Sequence, residues 1–211
     1  MSASLEVRRL GRTEYGAAHA LQEELLVARV EGRIGDQLLL TEHEPVVTLG
    51  RKSSPGDARG ATVPVIAVER GGEATYHGPG QIVGYPIVHL AEDRRDLHRW
   101  LRDLEEVVIR SIGDFGVEGR RVEGLTGVWI GDRKVCSLGV AVRRWVTWHG
   151  FALNVSTDLA CFSNFQPCGL DPRVMTRLAD HVGGDIDPEE VEMRLVMRFA
   201  EQFGYREITE R

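Results

Sequence analysis

No apolar run in this chain approaches the roughly 18 residues of a membrane span. Excess positive charge is missing as well. The 211 residues hold 26 lysines and arginines against 32 aspartates and glutamates, a formal charge of -6 at pH 7. That argues against a general nucleic-acid binder, and no membrane partner is expected either. Cysteine is scarce. Three residues, an odd number, do not build a disulfide framework and point to a reducing cytoplasm. The start, Met1-Ser2-Ala3-Ser4-Leu5-Glu6-Val7-Arg8-Arg9-Leu10, lacks the apolar core and cleavage site of a secretory signal. Internal repeats and low-complexity segments are absent too. What remains, 42% hydrophobic and 27% charged, suits a globular protein with one domain over residues 1–211.

Glycine, by contrast, is concentrated. Arg70-Gly71-Gly72-Glu73-Ala74-Thr75-Tyr76-His77-Gly78-Pro79-Gly80-Gln81 packs four glycines into twelve residues, so something there requires backbone freedom or close approach. Ile66-Ala67-Val68 before it and Ile82 to Val88 after it read as short buried strands, which makes the stretch a loop held between strands. It is neither a dinucleotide fingerprint, since no helix follows directly, nor a phosphate loop, since it lacks a Gly-Lys-Ser/Thr ending.

Elsewhere Leu5, Val7 and Leu10 suggest a first edge strand. Apolar residues at helical spacing predict helices over Tyr15–Val30 and Asp96–Phe115, with Glu105-Glu106 on a solvated face of the second. Asp187 followed by Pro188 opens a last helix, with Val191, Leu195, Phe199 and Phe203 buried. Asp36–Glu42, a hairpin over Val128–Val142 and Trp145–Val155 read as strands. Hairpins cluster between helices rather than alternating with them, so the expected class is α+β with largely antiparallel sheet. Glu42, His43 and Glu44 alternate across a strand, so no metal set is expected of them.

Among the thiols, Cys136 and Cys161 lie in apolar runs and read as packed. Cys168, in Gln166-Pro167-Cys168-Gly169, sits on a constrained irregular turn and reads either as a nucleophile or as an incidental thiol. A free thiol is only about 3% thiolate at pH 7, so a nucleophile needs a nearby cation, with His77, His149 and Lys134 as candidates. Lys134 opens a mainly apolar strand. It is either a solvated strand end or a buried ammonium able to tune a thiol.

Arg70-Gly71-Gly72-x-x-Thr75-x-His77-Gly78-Pro79-Gly80-Gln81, Lys134-Val135-x-Ser137-Leu138-Gly139, His149-Gly150-Phe151-Ala152-Leu153-Asn154 and Pro167-Cys168-Gly169 occur in this order. Together with Glu42-His43-x-Pro45-Val46-x-Thr48-x-Gly50-Arg51 upstream, they resemble the lipoyl(octanoyl) transferase family. The resemblance implies the biotin/lipoate protein ligase catalytic fold: a larger, mixed, mostly antiparallel sheet, a smaller sheet and surrounding helices. It implies transfer of octanoyl from acyl carrier protein to a lysine of lipoyl domains, those of 2-oxoacid dehydrogenase E2 subunits and of glycine cleavage H protein. Cys168 corresponds to the family nucleophile and Lys134 to the lysine that lowers its pKa and serves as base. Acyl contacts fall on Arg70, Gly71, Gly72, Glu73, Ala74, Thr75, Tyr76 and His77, on Ser137, Leu138 and Gly139, and on Gly150, Phe151 and Ala152, with His149 in support. Thioester to amide is downhill, so no ATP, metal or other cofactor is implied.

Two other readings compete. An ATP-dependent lipoate or biotin ligase on the same scaffold needs no nucleophilic cysteine. A non-catalytic acyl-binding module would keep the glycine loop without the Lys134 and Cys168 pair. Acyl carrier proteins are acidic as a class, so docking requires a local basic patch. The candidates are Arg143-Arg144, preferred for nearness in sequence to Lys134 and His149, then Arg120-Arg121 and Arg51-Lys52.

Overall fold

Asp36 to His43 places three consecutive leucines in the middle of a strand. A run without alternation is what a strand covered on both faces requires. In the computed structural model, which describes residues 4–54, 56–163 and 171–211, this strand is central and Leu38, Leu39 and Leu40 are buried. The elements follow as β1 (Ser4–Thr13), α1 (Tyr15–Val30), β2 (Asp36–His43), β3 (Val46–Leu49), β4 (Val65–Ala67), β5 (Ala74–His77), β6 (Gln81–Ile87) and α2 (Leu97–Gly113). After these come β7 (Arg120–Val122), β8 (Leu125–Ile130), β9 (Arg133–Arg143), β10 (Val146–Asn154), α3 (Pro188–Phe203) and β11 (Glu207–Glu210).

Eight strands form one sheet in the order β11-β1-β2-β6-β10-β9-β8-β7, and three form a second in the order β4-β3-β5. Strand β1 pairs in parallel with β2 and β11, and β3 with β4, while the other ladders are antiparallel. The fold is α+β, with a large mixed sheet and a small one. Leu38 and Leu40 join α2 and α3 in the main core, whereas Leu39 joins α1 on the opposite face. A third cluster, with Val47, Ala74, Tyr76, Phe162 and Met175, fills the space by the small sheet. No helix among the described residues is long and apolar enough to cross a membrane.

Local physics accounts for the helix ends. Asp96 accepts the backbone N–H groups of His98 and Arg99, and Asp187 accepts that of Glu189 ahead of Pro188, satisfying donors that have no partner inside the helix. Helix α3 ends on Gly204 at φ 76, a conformation that glycine adopts without penalty.

Four expectations are corrected. Strand β1 is not an edge, because β11 pairs outside it. Four exposed residues leave no burial pattern to predict β11. Strand β4 is not buried, since it lies at the margin of the small sheet with Val65 and Ala67 exposed. The glycine-rich stretch is not all loop, because Ala74–His77 forms β5 and pairs with β3. Finally, Glu105 is fully buried rather than solvated. Its carboxylate accepts the Gly127 N–H at 2.9 Å and pairs with Arg102 at 2.7 Å and Arg121 at 3.2 Å.

Candidate active site

Strands alternate their side chains between two faces, and β5 divides its residues accordingly. Thr75 and His77 line a cleft between the two sheets, while Ala74 and Tyr76 turn into the third core cluster. Arg70, Gly72 and Glu73 come to the cleft from the preceding loop, Ser137, Leu138 and Gly139 from β9, and His149 to Ala152 from β10. Gly71 is not a lining residue; its N–H donates to Val140 O at 3.0 Å. Close backbone approach explains one glycine: a Cβ at Gly139 would lie 2.7 Å from Gly71 O. Sequence reasoning missed Tyr15, Val83 and Tyr85 as lining residues. Strand β6 is buried throughout, so nothing in its pattern singled out Val83 or Tyr85, and Tyr15, the first residue of α1, had no signal either.

Arg70 does not reach into the cleft as a free cation. Its guanidinium donates to Thr48 O at 2.9 Å, Thr48 Oγ1 at 2.8 Å and Glu73 O at 2.7 Å. The glycine-rich loop is thereby wrapped around one charged group. His77 Nδ1 donates to Gln81 Oε1 at 2.8 Å, which leaves Nε2 to accept the Thr48 hydroxyl at 3.3 Å. Gln81 Nε2 donates to Asn154 Oδ1 at 2.9 Å, and Asn154 Nδ2 donates to Thr176 O at 3.0 Å. Burial keeps His77 neutral by lowering its pKa well below the usual value, helped by His43 and Arg70. Burial likewise lowers His43 to about 4 and His149 to about 3. None of the three is therefore a cation at neutral pH, which leaves Lys134 among the sequence candidates.

Lys134 is buried, so the reading as a solvated strand end does not hold. Its Nζ lies 6.0 Å from the centre of the Trp129 ring. A Cβ at Gly127, whose φ is 144°, would lie 2.5 Å from Lys134 Cε, so only glycine leaves room for the lysine stem. The Lys134 backbone bridges to Met175, and its carbonyl accepts the Thr176 N–H at 2.9 Å. Arg133 also donates to Met175 O at 2.8 Å. The hydrogen-bonded chain from His77 through Gln81 and Asn154 therefore ends at the residues that hold Lys134. Lys134 itself is not a lining residue of the cleft. Cys168 lies outside the described residues. Cys136 is fully buried, and burial pushes its thiol well above the usual range. Cys161 is partly buried beside the third cluster.

Glu42 and His43 point apart. Glu42 accepts from Arg12 and from the Gly80 N–H, while His43 Nε2 meets the Tyr85 hydroxyl at 2.6 Å. The basic pairs are redistributed as well. Arg120 and Arg121 are engaged with Asp132, Glu105 and Glu106. Arg143 stands nine residues along β9 from Lys134, roughly 30 Å at strand rise, and lines a hollow with Glu23, Glu24 and Glu69. Nearness in sequence to Lys134 is thus distance along an extended strand, whereas nearness to His149 is kept through Glu69, which lies 3.7 Å from His149. Arg51 and Lys52 are exposed, and their backbone N–H groups donate to Arg70 O and Gly72 O, both at 3.0 Å.

The lipoyl protein ligase A/B catalytic domain matches residues 14–200. An octanoyltransferase of Solibacter usitatus is 45% identical over 206 residues, covering 94% of this chain and 93% of its own. One of Rubrobacter xylanophilus is 47% identical over 212 residues, covering 96% and 95%. The chain belongs to the octanoyltransferase family. Among solved structures, the bi-partite lipoate protein ligase of Thermoplasma acidophilum shares the fold, with a TM-score of 0.74 over 99% of this chain and 86% of that one at 20% identity. That likeness carries the architecture alone, whereas membership of the octanoyltransferase family rests on the two sequence relatives.

Proposed function

We propose that this octanoyltransferase carries the octanoyl group on Cys168 and that Lys134 first stabilises the thiolate and then takes the proton of the incoming amine. The chain is an acyltransferase, and its substrates are an acyl carrier and lipoyl domains. In the first step the Cys168 thiolate attacks the thioester carbon of octanoyl-acyl carrier protein. A new C–S bond forms, the carrier's C–S bond breaks, and the Lys134 ammonium gives its proton to the departing carrier thiolate, which leaves the lysine neutral for the next step. In the second step a lysine amine of the lipoyl domain, on a 2-oxoacid dehydrogenase E2 subunit or glycine cleavage H protein, attacks the same carbon. A C–N bond forms, the bond to Cys168 breaks and the proton passes to Lys134. Glycines along the cleft let an acyl chain lie against backbone, where N–H groups can meet a developing oxyanion.

The observation that supports this most is the tie between the Lys134 backbone and Met175-Thr176, the latter reached seven to eight residues after Cys168. The described chain resumes at Asp171 and meets the lysine's strand four residues later, at Met175. Intact mass after incubation with octanoyl-acyl carrier protein, without ATP, tests the reading. A gain of one octanoyl group is expected; a protein that gains it only from free octanoate with ATP would be a ligase instead.

Docking of the acidic carrier is assigned to Arg51-Lys52, which are exposed and bonded through their backbones to Arg70 and Gly72. Arg51→Glu with Lys52→Glu should raise KM for octanoyl-acyl carrier protein about tenfold while leaving a small octanoyl thioester nearly unaffected, because the latter has no carrier surface. Salt should move the wild type toward the variant. Equal losses with both donors would reject the docking role.

A further inference from the structure

Three side chains at the edge of the cleft take no part in the proposed transfer. His19 comes from α1, Glu69 from the segment after β4, and His149 from β10. Glu69 Oε2 lies 3.1 Å from His19 Nε2 and 3.7 Å from His149 Nε2. One donor atom of each falls within 4.8 Å of the others, and no other group of three metal-ligating side chains is so placed among the described residues.

His149 is the informative member. It is 1% exposed, yet neither ring nitrogen has a hydrogen-bond partner among the described residues. Buried polar atoms are rarely left so, and each exception calls for an explanation. Its backbone is held at φ 54, a left-handed conformation that side chains other than glycine seldom adopt. Two contacts fix it there: Gln22 Oε1 accepts the His149 N–H at 3.0 Å, and the Trp148 ring lies 4.4 Å away, centre to centre. The result is a neutral imidazole aimed at a carboxylate, with a lone pair available.

We infer that His19, Glu69 and His149 form a binding site for one divalent transition-metal ion of the zinc class. Two imidazoles and a carboxylate suit such an ion better than calcium or magnesium, which prefer all-oxygen shells. Metal–donor bonds near 2.1 Å in a tetrahedral site put donors about 3.4 Å apart, and the two Glu69 separations bracket that spacing. Three protein donors leave a fourth position open. The three donors stand between the cleft, which His149 lines, and the surface hollow, which Glu69 lines.

Titration of the full chain with Co²⁺ tests the site, with visible absorption as the readout. Expected are the d–d bands of a low-coordinate ion, saturating at one Co²⁺ per chain and erased by Zn²⁺. His19→Ala and Glu69→Gln, both at partly exposed positions, should each weaken binding by about tenfold or more. Glu23→Gln, whose carboxylate lies 3.8 Å from the other nitrogen of His19, should not. Bands that persist unchanged in His19→Ala, intense near-ultraviolet absorption from cobalt thiolate, or a titration without saturation would each overturn the assignment.

Discussion

Cys168→Ser is expected to lower octanoyl transfer by at least about a thousandfold and to leave no acylated enzyme in the mass spectrum. A serine hydroxyl is far less acidic than a thiol, so an ammonium in the role proposed for Lys134 could not convert it into a useful fraction of anion. The other two cysteines provide the contrast. Cys136 is packed at the centre of the main core and its thiol is pushed up by burial, so it cannot supply a thiolate. Cys136→Ser should keep the activity while losing about 1–3 kcal/mol of stability for a buried hydroxyl, read by urea denaturation. Cys161→Ser, at the margin of the small sheet, should be active and stable. Robust transfer by the Cys168→Ser protein would sink the covalent route and return the ligase reading to contention.

Lys134→Arg should lower kcat/KM by about a hundredfold or more. Two physical reasons converge. Arginine retains positive charge and could still favour a thiolate, but it does not release a proton at working pH, so it cannot take one from the amine. The space is also closed: the Gly127 backbone lies against the lysine stem and the Trp129 ring stands beside it. Lys134→Met separates the two effects, because it keeps much of the shape and loses the charge. Acylation of Cys168 by octanoyl-acyl carrier protein, followed by mass in a single turnover, should survive better in Lys134→Arg than in Lys134→Met. Near-normal turnover by Lys134→Arg would reduce Lys134 to a source of charge.

Elements whose cause is local were legible in the sequence. The apolar stripes of α1, α2 and α3 and the cap Asp187 announce themselves within a few residues, and so does the hairpin turn at Gly131-Asp132-Arg133. Features set by distant partners were not. Strand β11 exists because β1 offers it a ladder, and its own residues are exposed. Glu105 looks like half of an ordinary acidic pair until Gly127, Arg102 and Arg121 arrive from elsewhere in the fold. In the cleft, motif matching brought in the whole of Arg70–His77, whereas pleating admits Thr75 and His77 and turns Ala74 and Tyr76 away. Tyr15 joins the site through its ring, 5.9 Å from His77 and 5.1 Å from His43, a meeting that no local pattern encodes.

The buried Glu105 makes helix α2 and Lys134 a single mechanical part. Its carboxylate grips the one backbone N–H against whose glycine the Lys134 stem rests. If that helix slides or frays under heat while the large sheet holds, it moves the floor beneath the lysine. Inactivation on warming should accordingly begin below the temperature at which the sheet melts, and the gap between the two is a measure of how tightly that carboxylate holds.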